Sequence, residues 1–177
     1  RLAHQSGGIF FLRIEDTDKK REVAGATDLI VKSLAHYGIR VDEGQNAEGE
    51  EIGAYGPYKQ SAREEIYQAY VKTLVERGLA YPCFVTSEEL DAIRAEQEAL
   101  KIRPGYYGKW AKWRDKTDGE VISALDAGLP FVIRFKSPGN FDNYVAMTDL
   151  LLGDRKVSEN DQDIVLMKSD GMPLYHL

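Results

Sequence analysis

Cysteine is nearly absent: the 177 residues contain a single one, Cys83. An internal disulfide is excluded, and so is a cysteine-rich zinc site, so the sequence points to a reducing, cytosolic setting. Long apolar runs are missing too. The longest, such as Ile9-Phe10-Phe11-Leu12, have four residues, far below the ~20 of a membrane-spanning helix, and no membrane partner is expected. Nor is there an excess of positive charge: Lys and Arg number 23 against 29 Asp and Glu, a net charge of −6. That balance gives no overall electrostatic case for binding nucleic acid or an anionic membrane, so a polyanion would have to meet a local site. No nucleophile elbow, dinucleotide glycine fingerprint or zinc pattern occurs. His4, His36 and His176 have no spacing that suggests a metal site or proton relay. What is present is the balance of a globular chain, 43% hydrophobic and 29% charged, long enough to bury roughly 70% of its unfolded surface.

Arg1 to Gly8 reads like the tail of a helix with its glycine stop, and the chain ends on the apolar, aromatic Pro173-Leu174-Tyr175-His176, so a fragment is expected. Ile9 to Ile14 is an almost wholly apolar run bounded by Gly7-Gly8 and by charge, as for a strand buried on both faces of a parallel sheet. Apolar residues at helical spacing between Glu22 and Tyr37, with Gly38 as stop, predict an amphipathic helix. Ile39 to Val41 suits a short strand, and Asp42 to Gly56 reads as loop. Ser61 with Glu64 predicts the N-cap of a helix closed by Gly78. Leu79 to Val85 then reads as a strand, and Thr86 with Glu89 and Thr117 with Glu120 predict two further capped helices. Phe131 to Lys136, Tyr144 to Leu152 and Asp163 to Lys168 are strand-like with only turns between the later ones, so the second half reads as mixed or antiparallel sheet beside an α/β first half, with the change near residue 80.

Three places can carry chemistry. Glu15, Asp16 and Asp18 follow the first strand, where open α/β sheets place ligands. They can bind a cation, hold an ammonium group or cap the next helix; capping suits Asp18 best, and with no carboxylates converging from a second strand, amine ranks above metal. Gly56-Pro57-Tyr58-Lys59-Gln60-Ser61 leads a turn into a helix N-terminus, either an anion site or simply a cap and rigid turn. Between Lys101 and Lys116, Lys101, Arg103, Lys109, Lys112, Arg114 and Lys116 oppose only Asp115, a local charge of +5 interleaved with Tyr106, Tyr107, Trp110 and Trp113. That pattern suits nucleic-acid contacts, and equally a solvated loop whose aromatics pack inward.

Resemblance adds a family. Phe11-Leu12-Arg13-Ile14-Glu15-Asp16-Thr17-Asp18 with Arg21, Gly56-Pro57-Tyr58-Lys59-Gln60-Ser61 with Arg63, and Asp163 through Lys168-Ser169-Asp170-Gly171-Met172-Pro173-Leu174-Tyr175-His176-Leu177 resemble, in order, signatures of the bacterial-type glutamyl-tRNA synthetases. The resemblance covers essentially the whole chain. It implies an α/β fold: a Rossmann-type parallel-sheet portion with an inserted α+β domain of mixed or antiparallel sheet. Residues 1–80 would belong to the catalytic domain, 81–162 to the insertion that receives the tRNA acceptor end, and 163–177 to the return strand and turn. Glu15 resembles the carboxylate that helps hold the substrate's α-amino group, and Tyr175 the tyrosine lining the glutamate pocket. Asp18 and Arg21 resemble residues near the tRNA 3′ end, and Lys109 and Lys112 fall inside the acceptor-binding insertion.

The implied partners are tRNA(Glu), L-glutamate and ATP with Mg²⁺, in a cytoplasmic monomer. The family's H-I-G-H and K-M-S-K-S signatures for ATP are absent from these residues, so the stretch alone is not expected to catalyse. Some family members hold zinc in the insertion; here Val85, Trp110 and Lys112 stand where ligands beside Cys83 would be expected, so no zinc is expected. The related glutamyl-queuosine enzymes, which modify a tRNA base position, are the close alternative, and a module that binds RNA or protein without chemistry is the distant one.

Overall fold

The computed structural model describes residues 1–18 and 23–177. They fall into two compact units, one made of residues 1–69 with 171–177, the other of residues 70–170. The sequence reading places the changes at 80/81 and 162/163 instead.

In the first unit a short helix, α1 (Leu2–Gln5), ends before Gly7 in the left-handed region. Ile9 to Asp16 then runs extended between two neighbours. Leu12 N–H donates to the Glu43 carbonyl at 2.8 Å, Ile14 N–H to the Tyr58 carbonyl at 2.9 Å, and Gln60 N–H back to the Ile14 carbonyl at 2.8 Å. The pairing is parallel, as expected, but consists of the isolated bridges Phe11 with Glu43 and Ile14 with Lys59. Burial on both faces is the point to correct. Successive side chains of an extended segment point to opposite sides: Phe10, Leu12 and Ile14 are half-buried, whereas Ile9 and Phe11 are 60% and 63% exposed.

The predicted helix is α2 (Ala26–His36), which buries Val31 and stops at Gly38 with a positive φ. Its N-cap is Gly25, with no side-chain cap, so the N-cap position itself does not fall on Asp18. Ile39 to Val41 forms no strand. The expected loop instead holds a small hairpin, β1 (Gly44–Gln45) with β2 (Glu51–Ile52). Asn46 nucleates its turn by accepting from the backbone N–H groups of Glu48 and Glu50. Gly44 has φ 127°, and a Cβ there would lie 2.5 Å from the Leu12 carbonyl oxygen, so only glycine lets the hairpin pass this close to the extended segment.

Gln60–Arg63 forms a 3₁₀ turn and Glu64–Glu76 forms α3, which runs from the first unit into the second. Here the capping direction reverses the sequence expectation. The Ser61 hydroxyl and backbone N–H both donate to the Asp16 carboxylate, at 2.6 and 2.8 Å, so Asp16 satisfies the free N–H at the helix start and Ser61 acts as a donor.

The second unit is an antiparallel sheet of β3 (Ala80–Cys83), β4 (Val132–Phe135) and β7 (Val165–Met167), in the order β3-β4-β7. Two of the three predicted caps form as capping boxes: Thr86 with Glu89 opens α4 (Ser87–Ala99), and Thr117 with Glu120 opens α5 (Asp118–Asp126). Tyr81, Cys83, Ile93, Tyr106, Trp110 and Ala111 make a buried cluster. A separate ribbon of β5 (Tyr144–Asp149) and β6 (Gly153–Ser158) is antiparallel throughout and largely exposed.

Candidate functional site

The first unit gathers three of the sequence-predicted segments around one side chain. Gln60 has no exposed surface. Its amide oxygen accepts from the hydroxyl of buried Thr17 at 3.2 Å, and its amide nitrogen donates to the Leu174 carbonyl at 3.1 Å. The segment carrying Glu15, Asp16 and Asp18 and the segment carrying Tyr175 are thus tied to the turn that follows Gly56-Pro57. Pro173, fully buried, seats the second segment.

The three carboxylates have separated. Glu15 is exposed and accepts from the Arg13 guanidinium at 2.8 Å, a contact that raises the Arg13 pKa above its ordinary value. Asp16 is committed to Ser61. Asp18 is exposed. A carboxylate answered by one exposed guanidinium remains available to an ammonium group, because exposed ion pairs exchange at little cost. Among the described residues no three His, Cys, Asp or Glu side chains come together as a metal would need.

Glu15, Asp16 and Lys59 line a cleft of about 500 Å³, whose apolar wall includes Leu12, Ile14 and Ile30. Tyr175 is not among the residues lining it; the ring is 62% exposed and lies 3.8 Å, centroid to centroid, from that of His176. Arg21 lies outside the described residues.

In the second unit the basic stretch divides by partner. Arg103 pairs with Asp161 at 2.6 Å, Lys116 with Glu120 at 2.6 Å, and Arg114 with Asp163. Lys109 and Lys112 are exposed and make no ion pair among the described residues; the Lys109 ammonium sits 4.6 Å over the Trp110 ring. The interleaved aromatics point inward, with Tyr106 and Trp110 5% and 7% exposed, so those two rings are core and give no platform for stacked bases.

Sequence reasoning missed the polar centre of this unit. Asp163, 1% exposed, accepts from the Tyr81 hydroxyl at 2.7 Å, from Ser137 N–H at 2.9 Å and from Arg114, while Arg134 donates to its backbone carbonyl. Burial and the adjacent carboxylate push the Tyr81 hydroxyl pKa far up, so the phenol stays a donor. Cys83 lies 3.3 Å from the Tyr106 hydroxyl inside the aromatic cluster. A thiol, a phenol and an indole are not a zinc ligand set, so the residues here do not fit that metal.

The parallel bridges at Phe11 and Ile14 lie in a unit whose two stretches of chain, residues 1–69 and 171–177, flank the antiparallel unit in the sequence. The chain belongs to the family described as tRNA synthetases class I (E and Q), catalytic domain, which matches residues 1–177. It is 55% identical over 176 residues to the glutamate–tRNA ligase of Clostridium perfringens (strain 13 / Type A), and 47% identical over 188 residues to that of Sorangium cellulosum (strain So ce56). Each alignment covers 99% of this chain but 32% and 33% of the relative, respectively, so the chain spans about a third of the length of these relatives. It is also similar to a crystal structure of a glutamate tRNA ligase from Elizabethkingia meningosepticum CCUG26117 in complex with its amino acid, with a TM-score of 0.83 and 39% identity, covering 99% of this chain and 35% of that one.

Proposed function

We propose that the protein carrying this chain is a glutamate–tRNA ligase. It joins L-glutamate to ATP, displacing pyrophosphate to form an acyl-adenylate, and then passes the acyl group to the terminal ribose of tRNA(Glu) with release of AMP. The observation that carries this reading is the family match across residues 1–177 together with the relatives named glutamate–tRNA ligase. Both steps are catalysed chiefly by positioning and charge stabilisation, so the roles of these residues are to bind and to hold.

In this reading Glu15 receives the α-ammonium group, leaving Arg13, and Tyr175 supplies a pocket wall and one hydroxyl. Asp18 and Arg21 lie by the tRNA 3′ end. Lys109 and Lys112 meet acceptor-stem phosphates, a role supported by their lack of internal ion pairs among the described residues. Residues 1–80 and 163–177 are assigned to the catalytic domain and 81–162 to the acceptor-binding insertion, which falls within the compact unit 70–170. ATP acts with Mg²⁺, and no zinc is held, since Cys83 is spent on the aromatic core. The enzyme works as a cytoplasmic monomer; no helix among the described residues is long and apolar enough to cross a membrane.

The test is Glu15→Ala in the longer protein. The KM for L-glutamate should rise at least about tenfold through loss of a charge-assisted contact, with the acyl group appearing on the 3′-terminal ribose in the wild type. An unchanged glutamate KM would remove the ammonium role from Glu15.

A further inference from the structure

A buried amide in this family of sites need do no more than fill space, yet Gln60 spends both of its polar ends on the segments that carry the two substrate contacts. Its oxygen meets Thr17, two residues after Glu15, and its nitrogen meets the carbonyl of Leu174, the residue before Tyr175. Its own backbone N–H donates to the Ile14 carbonyl at 2.8 Å, one residue before Glu15. Ser61 fastens the same segment through Asp16. Glu15 is thus bracketed by bonds at Ile14, Asp16 and Thr17, while the chain before Tyr175 is held by the same amide.

We infer that Gln60 is a positioning residue that sets the spacing between Glu15 and Tyr175, and with it the affinity for the amino-acid substrate. This rests on the reading of Glu15 and Tyr175 as glutamate contacts. The physical basis is the steep dependence of binding and reaction on placement: side chains at 45% and 62% exposure have little packing of their own to fix them, so their geometry comes from the backbone beneath. A fully buried amide with both ends satisfied holds two backbone segments at a fixed distance. An apolar side chain of the same size would lose both the bond from the Thr17 hydroxyl and the bond to the Leu174 carbonyl, and with them the tie between the two segments.

The experiment uses the longer protein with Thr17→Val, which removes one hydroxyl donor while keeping the side-chain shape, and Gln60→Leu, which removes both bonds. The expected result is a rise in glutamate KM of about three- to tenfold for Thr17→Val and more for Gln60→Leu, with the KM for ATP unchanged and with Thr17→Ser restoring the wild-type value. Thr17→Val retains the bond from Gln60 to Leu174 and serves as the test if Gln60→Leu does not fold. A lowered melting temperature with unaltered glutamate KM in Thr17→Val would overturn the proposal and leave Gln60 a structural residue. Glu15→Gln measured in parallel separates the two ideas: if it alone raises glutamate KM the positioning role fails, and if it too has no effect the site reading itself fails.

Discussion

Two carboxylates, one in each unit, are treated in opposite ways. In the second, Asp163 is 1% exposed and receives Tyr81, Ser137 and Arg114 together. In the first, Glu15 is exposed with one surface guanidinium for company. A carboxylate whose acceptor positions are filled from inside has nothing left for a ligand, and removing it strands its donors. One that is half-answered at the surface costs little to redirect. The same residue chemistry therefore serves architecture at Asp163 and stays open to the recognition proposed for Glu15, and burial makes the difference.

The sharpest way to break that contrast is to delete each carboxylate and read stability. Asp163→Ala leaves the Arg114 guanidinium, the Tyr81 hydroxyl and the Ser137 N–H without their acceptor, so the unfolding free energy should fall by about 3–5 kcal/mol, read by chemical denaturation. Glu15→Gln in the same assay should stay within about 0.5 kcal/mol. Equal losses at the two sites would erase the distinction, and a small loss at Asp163 would mean its donors find other partners.

The cations of the second unit sharpen the comparison from the other side. Arg103, Arg114 and Lys116 are spent on Asp161, Asp163 and Glu120, whereas Lys109 and Lys112 are exposed without such partners among the described residues. If both meet phosphates, Lys109→Ala with Lys112→Ala should make the slope of log affinity for tRNA against log salt shallower by about 1 to 2, with a uniform loss of affinity. Titration at several salt concentrations reads both quantities. An unaltered slope would place these lysines with the solvated surface.

How much of this was legible beforehand follows from how local each signal is. The capping boxes at Thr86 and Thr117 form as read, because each is complete within four consecutive residues and needs no tertiary partner. The extended segment at Ile9 to Ile14 was legible as parallel, but not as one-sided, since exposure depends on what packs against it. Ser61 illustrates the limit: its spacing to Glu64 spells an N-cap, and Asp16, distant in sequence, takes its hydroxyl instead. Gln60 and Asp163 were invisible as anchors for the same reason. A polar residue carries no hydropathy sign that it is buried, and its partners Leu174, Tyr81 and Arg114 lie far along the chain. The basic stretch showed both readings at once, and packing of Tyr106 and Trp110 decided for inward aromatics.

The smallest effect comes from a carboxylate intermediate between Asp163 and Glu15, exposed yet held by its own helix. The Lys116 ammonium at 2.6 Å, followed by the Thr117 backbone N–H and hydroxyl, holds the Glu120 carboxyl down at about 2. A group whose folded pKa lies below its unfolded value contributes stability above the unfolded value, near ~4.3 for a glutamate, and loses it as pH falls through the folded one. Wild type should therefore exceed Glu120→Gln in melting temperature by a constant small margin above about pH 5, and the margin should shrink to nothing as pH approaches about 2. Because the glutamine keeps an oxygen for the Thr117 N–H, the margin reports the charge on Glu120 rather than the capping bond. A margin that persisted undiminished to about pH 2 would assign the contribution to hydrogen bonding alone, and would move Glu120 to the side of Asp163, where geometry outweighs charge.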